Sequence, residues 1–418
     1  MLTEHDIQLL LFDLALIIVL ARLLGMAAKR IGQPPVIGEM VAGILLGPSL
    51  LGREASAWVL PPAVAPYLGV IAQLGVILYM FLVGLELNGG VLREKARATV
   101  IIAHTSMVVP FVLGAGLALF LYPRLSDGGV PFTSFALFLG VALAITAFPV
   151  LARILTDRRL SRTELGVLAL SCAATDDVTA WCLLALVVGV ARAEVGGALA
   201  VTGLALGYVA LMFGAVRPLA ARLVRRYEGR PVPAGVFAAL LVAVLLSALA
   251  TEAIGVHAVF GAFLLGAVIP HDSAVARTFT RKLEDVVTVL LLPAFFAYTG
   301  MRTEIGLVSG LGAWLVCGLI TLAATAGKFG GTYAAARLTG LDGRTSAALG
   351  VLMNTRGLME LIVLNIGLDL GVISPTLFAM MVLMALATTL MTTPILKRLV
   401  PDAAAGATEP EPAEAATA

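Results

Sequence analysis

The chain has 418 residues, of which 60% are hydrophobic and 13% charged, with a formal net charge of +2. Soluble domains are about 25% charged, so this composition excludes a soluble enzyme or a nucleic-acid binder and indicates a polytopic membrane protein. Three cysteines, Cys172, Cys182 and Cys317, lie in apolar segments without ligand spacing, which argues against disulfides and structural zinc.

The amino terminus, Met1-Leu-Thr-Glu-His-Asp6, is acidic where a signal peptide is basic, and its apolar run continues without a small-residue cleavage site, so it reads as a retained helix. Apolar runs long enough to span predict thirteen crossings, at approximately 7–28, 35–51, 66–87, 98–122, 133–155, 164–191, 197–222, 232–251, 256–270, 283–301, 306–337, 344–368 and 373–397. Lysine and arginine test that count independently. Nineteen of them, Arg93 and Lys95 included, fall in one set of alternate loops, and four, Arg53, Arg124, Arg192 and Arg302, fall in the other. The positive-inside rule then puts the amino terminus outside and the carboxyl terminus in the cytoplasm. Of the remaining five, Arg22, Arg153 and Arg217 lie near cytoplasmic ends, within snorkelling reach. Lys328 and Arg356 do not. Residues 401–418, rich in Ala, Glu and Pro, read as a disordered cytoplasmic tail.

Two stretches recur. Gly38-Glu-Met-Val-Ala-Gly43 of span 2 is echoed by Gly261-Ala-Phe-Leu-Leu-Gly266 of span 9, and the end of span 3, through Gly84 to Glu86, by the end of span 10, through Gly300 to Arg302. An offset of seven spans is odd, so the second copy runs upside down through the membrane. Inverted repeats mark transporters, with the site near the midplane where interrupted helices meet. The interruptions are expected in span 5, where Pro149 has no amide to bond the Ile145 carbonyl, and in span 12, across Met353-Asn-Thr-Arg-Gly-Leu-Met-Glu360.

Asp176 and Asp177 stand side by side in span 6. A charged residue at the bilayer centre costs about 2.5–3.5 kcal/mol on insertion scales, so an intramembrane carboxylate is a functional hypothesis with a partner to be found. Successive helical residues point about 100° apart, so the two cannot share a face. Lys328, in span 11, is the candidate partner: by helical rise it lies roughly 14 Å from the cytoplasmic end of its span, and Asp177 roughly 20 Å from the end of its own. A carboxylate of Asp177 with the Thr146 hydroxyl, broken-helix carbonyls and water suits a hard cation such as Na⁺ or K⁺. Ser171 and Thr175 are possible extra ligands, or they bond back to the preceding turn. Arg356 and Glu360, four apart, pair locally to support the break in span 12. Glu39 has two open readings, an access funnel or a structural pair, and His257 reads as an interfacial histidine. No cofactor is expected.

Together, Gln33-Pro-Pro-Val-Ile-Gly-Glu39 through Pro48, Asn354-Thr-Arg-Gly-Leu-Met-Glu360 through Asp369, and the Asp-Asp stretch resemble the monovalent cation:proton antiporter-2 family. The resemblance covers about residues 5–398 and is strongest toward plant cation/H⁺ exchangers and their bacterial relatives. It implies an all-α polytopic protein with thirteen transmembrane helices, inverted repeats and two broken helices, a sodium/proton antiporter-like fold. It also implies a homodimer in the inner (plasma) membrane, exchanging Na⁺, K⁺ or Li⁺ for H⁺ by an elevator-like motion. The dimerising part is then about 7–87 and 232–301, the transport part about 98–191 and 306–397, and the linking helix about 197–222. In the family's electrogenic members the second aspartate binds the cation and the first pairs with a lysine, which maps onto Asp177, Asp176 and Lys328. Asp-Asp, where potassium-efflux and plant branches typically place one neutral residue before the aspartate, favours electrogenic Na⁺/H⁺ exchange and leaves K⁺ open. An intramembrane aspartyl protease needs its two carboxylates on separate helices, while a passive cation channel stays an alternative that inverted repeats with a buried Asp-Lys arrangement count against without excluding.

Overall fold

A computed structural model describes residues 4–61, 63–86, 96–126, 129–192 and 195–401; Arg93, Lys95 and the tail from 402 lie outside the described residues. Among the described residues every regular element is a helix. In chain order these are α1 (Glu4–Arg30), α2 (Pro35–Leu46), α3 (Pro48–Val59), α4 (Ala65–Glu86), α5 (Ala96–Leu125), α6 (Phe132–Ala144), α7 (Phe148–Asp157), α8 (Glu164–Arg192) and α9 (Val195–Leu211). After a π-helical turn follow α10 (Arg217–Arg225), α11 (Ala234–Ile254), α12 (Ala258–Val268) and α13 (Ala274–Val286). A second π turn leads into α14 (Leu292–Met301), then α15 (Gly310–Leu338), α16 (Gly343–Met353), α17 (Leu358–Asp369) and α18 (Pro375–Leu399).

Local chemistry sets many of these boundaries. Proline opens α2, α3 and α18, where a missing amide is harmless. Ser273, Asp342 and Ser374 cap α13, α16 and α18 with side-chain oxygens. His257, read from the sequence as an interfacial histidine, and Glu252 both serve the start of α12, accepting from the Val259 and Ala258 amides.

Among the described residues, ten helical units are long and apolar enough to cross a membrane, and the bent pairs α2–α3 (57°) and α16–α17 (43°) raise the number to twelve. α12 is apolar but has 11 residues, about 17 Å of helix. The expected thirteen crossings thus include one, span 9, that length alone does not establish. Hydropathy also passed over two helices. α3 lies beyond the bend at Gly47 with Trp58 82% exposed, and α13 is charged except for a face of Val275, Ala276 and Phe279 buried against its neighbours. Both are amphipathic and, taken by themselves, short and polar for a span.

The helices pack in two groups. α1, α2, α4, α11, α12 and α14 contact one another, as do α5, α6, α8, α15, α16 and α18. The inverted repeat is visible in the first group as two crossings of bare backbone. A Cβ on Gly43 of α2 would overlap the Phe296 carbonyl of α14, and one on Gly300 of α14 would overlap the Gly43 carbonyl. Equivalently, Gly266 of α12 lies against the Phe81 carbonyl of α4, and Gly84 of α4 against the Phe263 carbonyl of α12. Spans 2 and 10 therefore meet as spans 9 and 3 do, through the residues whose recurrence the sequence displays.

Candidate ion-binding site

The site lies where two interrupted helices cross. Residues 145–147 separate α6 from α7, residues 354–357 separate α16 from α17, and the two breaks are joined by hydrogen bonds. The Ala147 amide donates to the Thr355 carbonyl at 2.9 Å, and the Thr146 hydroxyl lies 2.9 Å from the Met353 carbonyl. Pro149 sits in the first turn of α7, where it lacks an amide at no cost but leaves the Ile145 carbonyl without its helical partner.

Breaking α6 at mid-depth leaves its last carbonyls without amides and concentrates partial negative charge there. Two fully buried cations answer it. Lys328 Nζ donates to the Ala144 carbonyl at 2.6 Å. Arg356 donates through Nη1 to the Ala142 carbonyl at 2.8 Å and through Nη2 to that of Leu143. Arg356 thus supports the break in span 5 as well as its own, and it pairs with Glu360 at 2.7 Å. Its backbone is clasped by Thr389 of α18, whose hydroxyl accepts from the Arg356 amide at 3.0 Å and lies 2.6 Å from the Arg356 carbonyl.

On α8, Asp176 and Asp177 are each 1% exposed and turn to different surroundings. Asp176 Oδ2 accepts from Lys328 Nζ at 2.7 Å, from Ser106 Oγ at 3.0 Å and from Thr146 Oγ1 at 3.1 Å. Neither carboxylate oxygen of Asp177 has a hydrogen-bond partner. Its side chain lines a cavity of about 10 Å³ with Ile145, Ala180, Trp181, Leu184, Met359 and Val363, room for about one water-sized particle. In this core three carboxylates, Asp176, Asp177 and Glu360, face two cations, Lys328 and Arg356. Fully ionised, they leave one negative charge in excess, which one Na⁺ or one proton neutralises.

The structure brings Asp176, Lys328 and Thr146 together and gives the Thr146 hydroxyl to Asp176, where the sequence assigned it to Asp177. Ser171 and Thr175 bond back along their own helix, to the Val167 carbonyl at 2.7 Å and the Ser171 carbonyl at 2.9 Å. Glu39, on α2 in the other group, is partly buried and feels the charges of Arg22 and Arg153. Ser106 and Thr389 escaped the sequence reading. Their only signals were a hydroxyl in the apolar run of span 4 and threonines at 388, 389, 392 and 393, a spacing that puts all four on one side of α18.

A family model described as sodium/hydrogen exchanger, transmembrane, matches residues 15–400. The chain belongs to the sodium/hydrogen exchanger family. Over 403 residues this exchanger is 44% identical to the Na(+)/H(+) antiporter NhaS4 of Synechocystis, covering 95% of this chain and 98% of that one. It is 40% identical over 409 residues to Cation/H(+) antiporter 19 of Arabidopsis thaliana (97% of this chain, 51% of the relative). It is 33% identical over 414 residues to K(+)/H(+) antiporter 1 of Saccharomyces cerevisiae (96% and 47%), so the exchanger spans about half the length of these plant and yeast relatives. A solved structure of the sodium proton antiporter MjNhaP1 from Methanocaldococcus jannaschii at pH 8 matches with a TM-score of 0.67 at 13% identity, covering 96% of this chain and 99% of that one. That likeness speaks for the fold alone. The expected resemblance to cation:proton antiporters is met: the exchanger is an integral membrane transporter of the cation/proton antiporter class, not an enzyme, with a sodium/proton antiporter-like fold.

Proposed function

We propose that this exchanger moves Na⁺ against H⁺ electrogenically, with Asp177 as the shared ligand for cation and proton. The observation that carries the reading is the contrast within one dipeptide. Asp176 is saturated by a lysine and two hydroxyls, while Asp177 offers two unpartnered oxygens to a cavity of one-particle size. Ile145 lines the same cavity, and its carbonyl, freed by Pro149, is the backbone ligand we assign to the cation. Exchange follows because cation and proton compete for one carboxylate, so the site does not cross the membrane empty and charged.

Lys328 decides the stoichiometry. If it keeps its proton throughout, the core is neutral with either Na⁺ or H⁺ on Asp177, and exchange is electroneutral. If it gives up its proton when Na⁺ binds, freeing Asp176 from the ion pair, two protons return for each Na⁺ and one net charge moves. A membrane potential then adds about 2.3 kcal/mol per charge per 100 mV. We take the second course, since Lys328 and Asp176 form one ion pair at 2.7 Å, so that removing the lysine proton as Na⁺ arrives releases a second carboxylate beside Asp177.

In this reading the group containing α5–α8 and α15–α18 slides past the group containing α1, α2, α4, α11, α12 and α14, the latter forming the homodimer, with the amino terminus outside and the carboxyl terminus cytoplasmic. Sodium is favoured by the names of the Synechocystis relative and the structural neighbour, and the yeast relative's name keeps K⁺ as the alternative. The test is proteoliposome transport with Na⁺, K⁺ or Li⁺ added to a pre-formed pH gradient, with and without an imposed potential. Na⁺-driven proton movement that accelerates with potential supports the proposal. A response to K⁺ alone overturns the selectivity, and indifference to potential overturns the stoichiometry.

A further inference from the structure

One set of polar contacts joins the two helix groups at the face assigned to the outside. Arg302, following α14, donates through Nη1 to Asn365 Oδ1 at 3.1 Å and pairs through Nη2 with Asp369 at 2.6 Å, both on α17. Asn365 in turn donates to the Thr299 hydroxyl of α14 at 2.9 Å. The Arg302–Asp369 pair is solvated, with Asp369 57% exposed, and by itself contributes little. Asn365 and Thr299 are buried, and separating them leaves polar groups without partners.

The inverted repeat predicts where the mirror image of this contact belongs. The chain leaves α7 and α17 by the same hydrogen-bonded turn. After α7, the amides of Arg158, Arg159 and Leu160 bond the carbonyls of Ile154, Thr156 and Leu155. After α17, those of Leu370, Gly371 and Val372 bond Ile366, Leu368 and Gly367, and Arg159 (φ 54) and Gly371 (φ 66) share the left-handed position. This register sets Asp157 opposite Asp369 and Arg153 opposite Asn365. On the other group, Gly84 and Gly300 occupy equivalent backbone crossings, so Glu86, two residues on, is the counterpart of Arg302. The charges are exchanged: a cation on α14 meets an anion on α17, while an anion on α4 corresponds to a cation on α7. At present Arg153 is turned to Asp157 of its own helix, at 3.2 Å.

We propose that Arg302, Asn365, Thr299 and Asp369 form a latch that closes the outer side in this conformation, and that Glu86 and Arg153 form the mirror latch closing the cytoplasmic side in the opposite one. The proposal rests on the sliding of the two groups put forward above. Each latch holds one end state, and turnover requires breaking one before making the other.

The test reads both sides of the membrane. In a variant with Cys172, Cys182 and Cys317 replaced by Ala, a single Ala180→Cys beside Asp177 reports access to an impermeant thiol reagent from outside and from inside. Arg302→Gln is expected to raise outside labelling relative to inside by on the order of ten-fold, the weight of one charged hydrogen bond. Glu86→Gln is expected to shift the ratio the other way. A Glu86→Cys/Arg153→Cys pair is expected to cross-link with a short bifunctional reagent and stop transport reversibly on cleavage of the linker. Shifts in the same direction, or no shift in either variant while the parent is labelled from both sides, overturn the latches and leave the sliding motion standing. Labelling of the parent from one side only, with transport intact, overturns the sliding motion itself.

Discussion

The two adjacent aspartates should fail in different ways when each is replaced by asparagine. Asp176→Asn removes the anion 2.7 Å from Lys328 Nζ and leaves that fully buried ammonium with neutral acceptors in place of its counter-charge, the Ala144 carbonyl among them. Breaking a buried pair from one side costs about 3–5 kcal/mol. Asp177→Asn has no hydrogen bond to lose, and a swap of equal size at an unpartnered group leaves stability within about 1 kcal/mol. Ligand binding supplies a second readout, since a hundredfold excess of Na⁺ over its dissociation constant stabilises the folded state by about 2.7 kcal/mol. Scanning fluorimetry of the purified protein in choline and in Na⁺ should therefore show a low melting temperature for Asp176→Asn. Asp177→Asn should melt like the parent but lose the Na⁺-dependent rise, and should transport nothing in proteoliposomes. An Asp177→Asn protein that keeps the Na⁺ shift, or a reversed order of stabilities, would refute the assignment of one aspartate to structure and the other to the ion.

Three further outcomes follow from individual contacts. Arg356→Lys loses the guanidinium fork that bonds the Ala142 and Leu143 carbonyls together with Glu360, and should destabilise by about 3–5 kcal/mol in denaturant titrations despite conserving charge. Thr389→Val leaves the Arg356 amide without its acceptor and should cost about 1–3 kcal/mol in the same assay, with Na⁺ selectivity in transport unchanged. Asp342 caps α16, and hydrogen bonds from Thr345 and the Arg344 amide hold its carboxyl below the usual carboxylate range. A depressed folded pKa contributes stability that is present above the unfolded value and lost as pH falls through the folded one. Asp342→Ala should therefore melt below the parent at neutral pH, and the two curves should begin to converge only below about pH 4, the unperturbed aspartate value, and meet once pH is below the depressed folded one.

Several of these residues were legible in the sequence because a membrane makes polar groups conspicuous. Lys328 stands out as the one lysine within an apolar run, and the Asp-Asp pair as the acidic group of span 6 facing it in depth. Pro149 and the stretch Met353–Glu360 announced the helix breaks, the second of which the structure narrows to 354–357, and the recurrent glycines announced the repeat that the Gly43–Gly300 and Gly84–Gly266 crossings embody. Thr146 was legible by its depth, while the direction of its hydroxyl, toward Asp176, came from the structure alone.

Hydropathy, loop charge and helix breakers act locally along the chain, and from them the sequence alone supplied an all-helical membrane fold, ten to twelve of whose expected crossings the described residues bear out, together with the inverted pattern and the family. Only the tertiary structure decided which carbonyls Lys328 and Arg356 neutralise, that Ser106 and Thr389 complete the shells of Asp176 and Arg356, and that both oxygens of Asp177 are left without a hydrogen-bond partner. Those partners lie up to 214 residues away along the chain. They meet through the crossing of two broken helices, a geometry that no local pattern encodes.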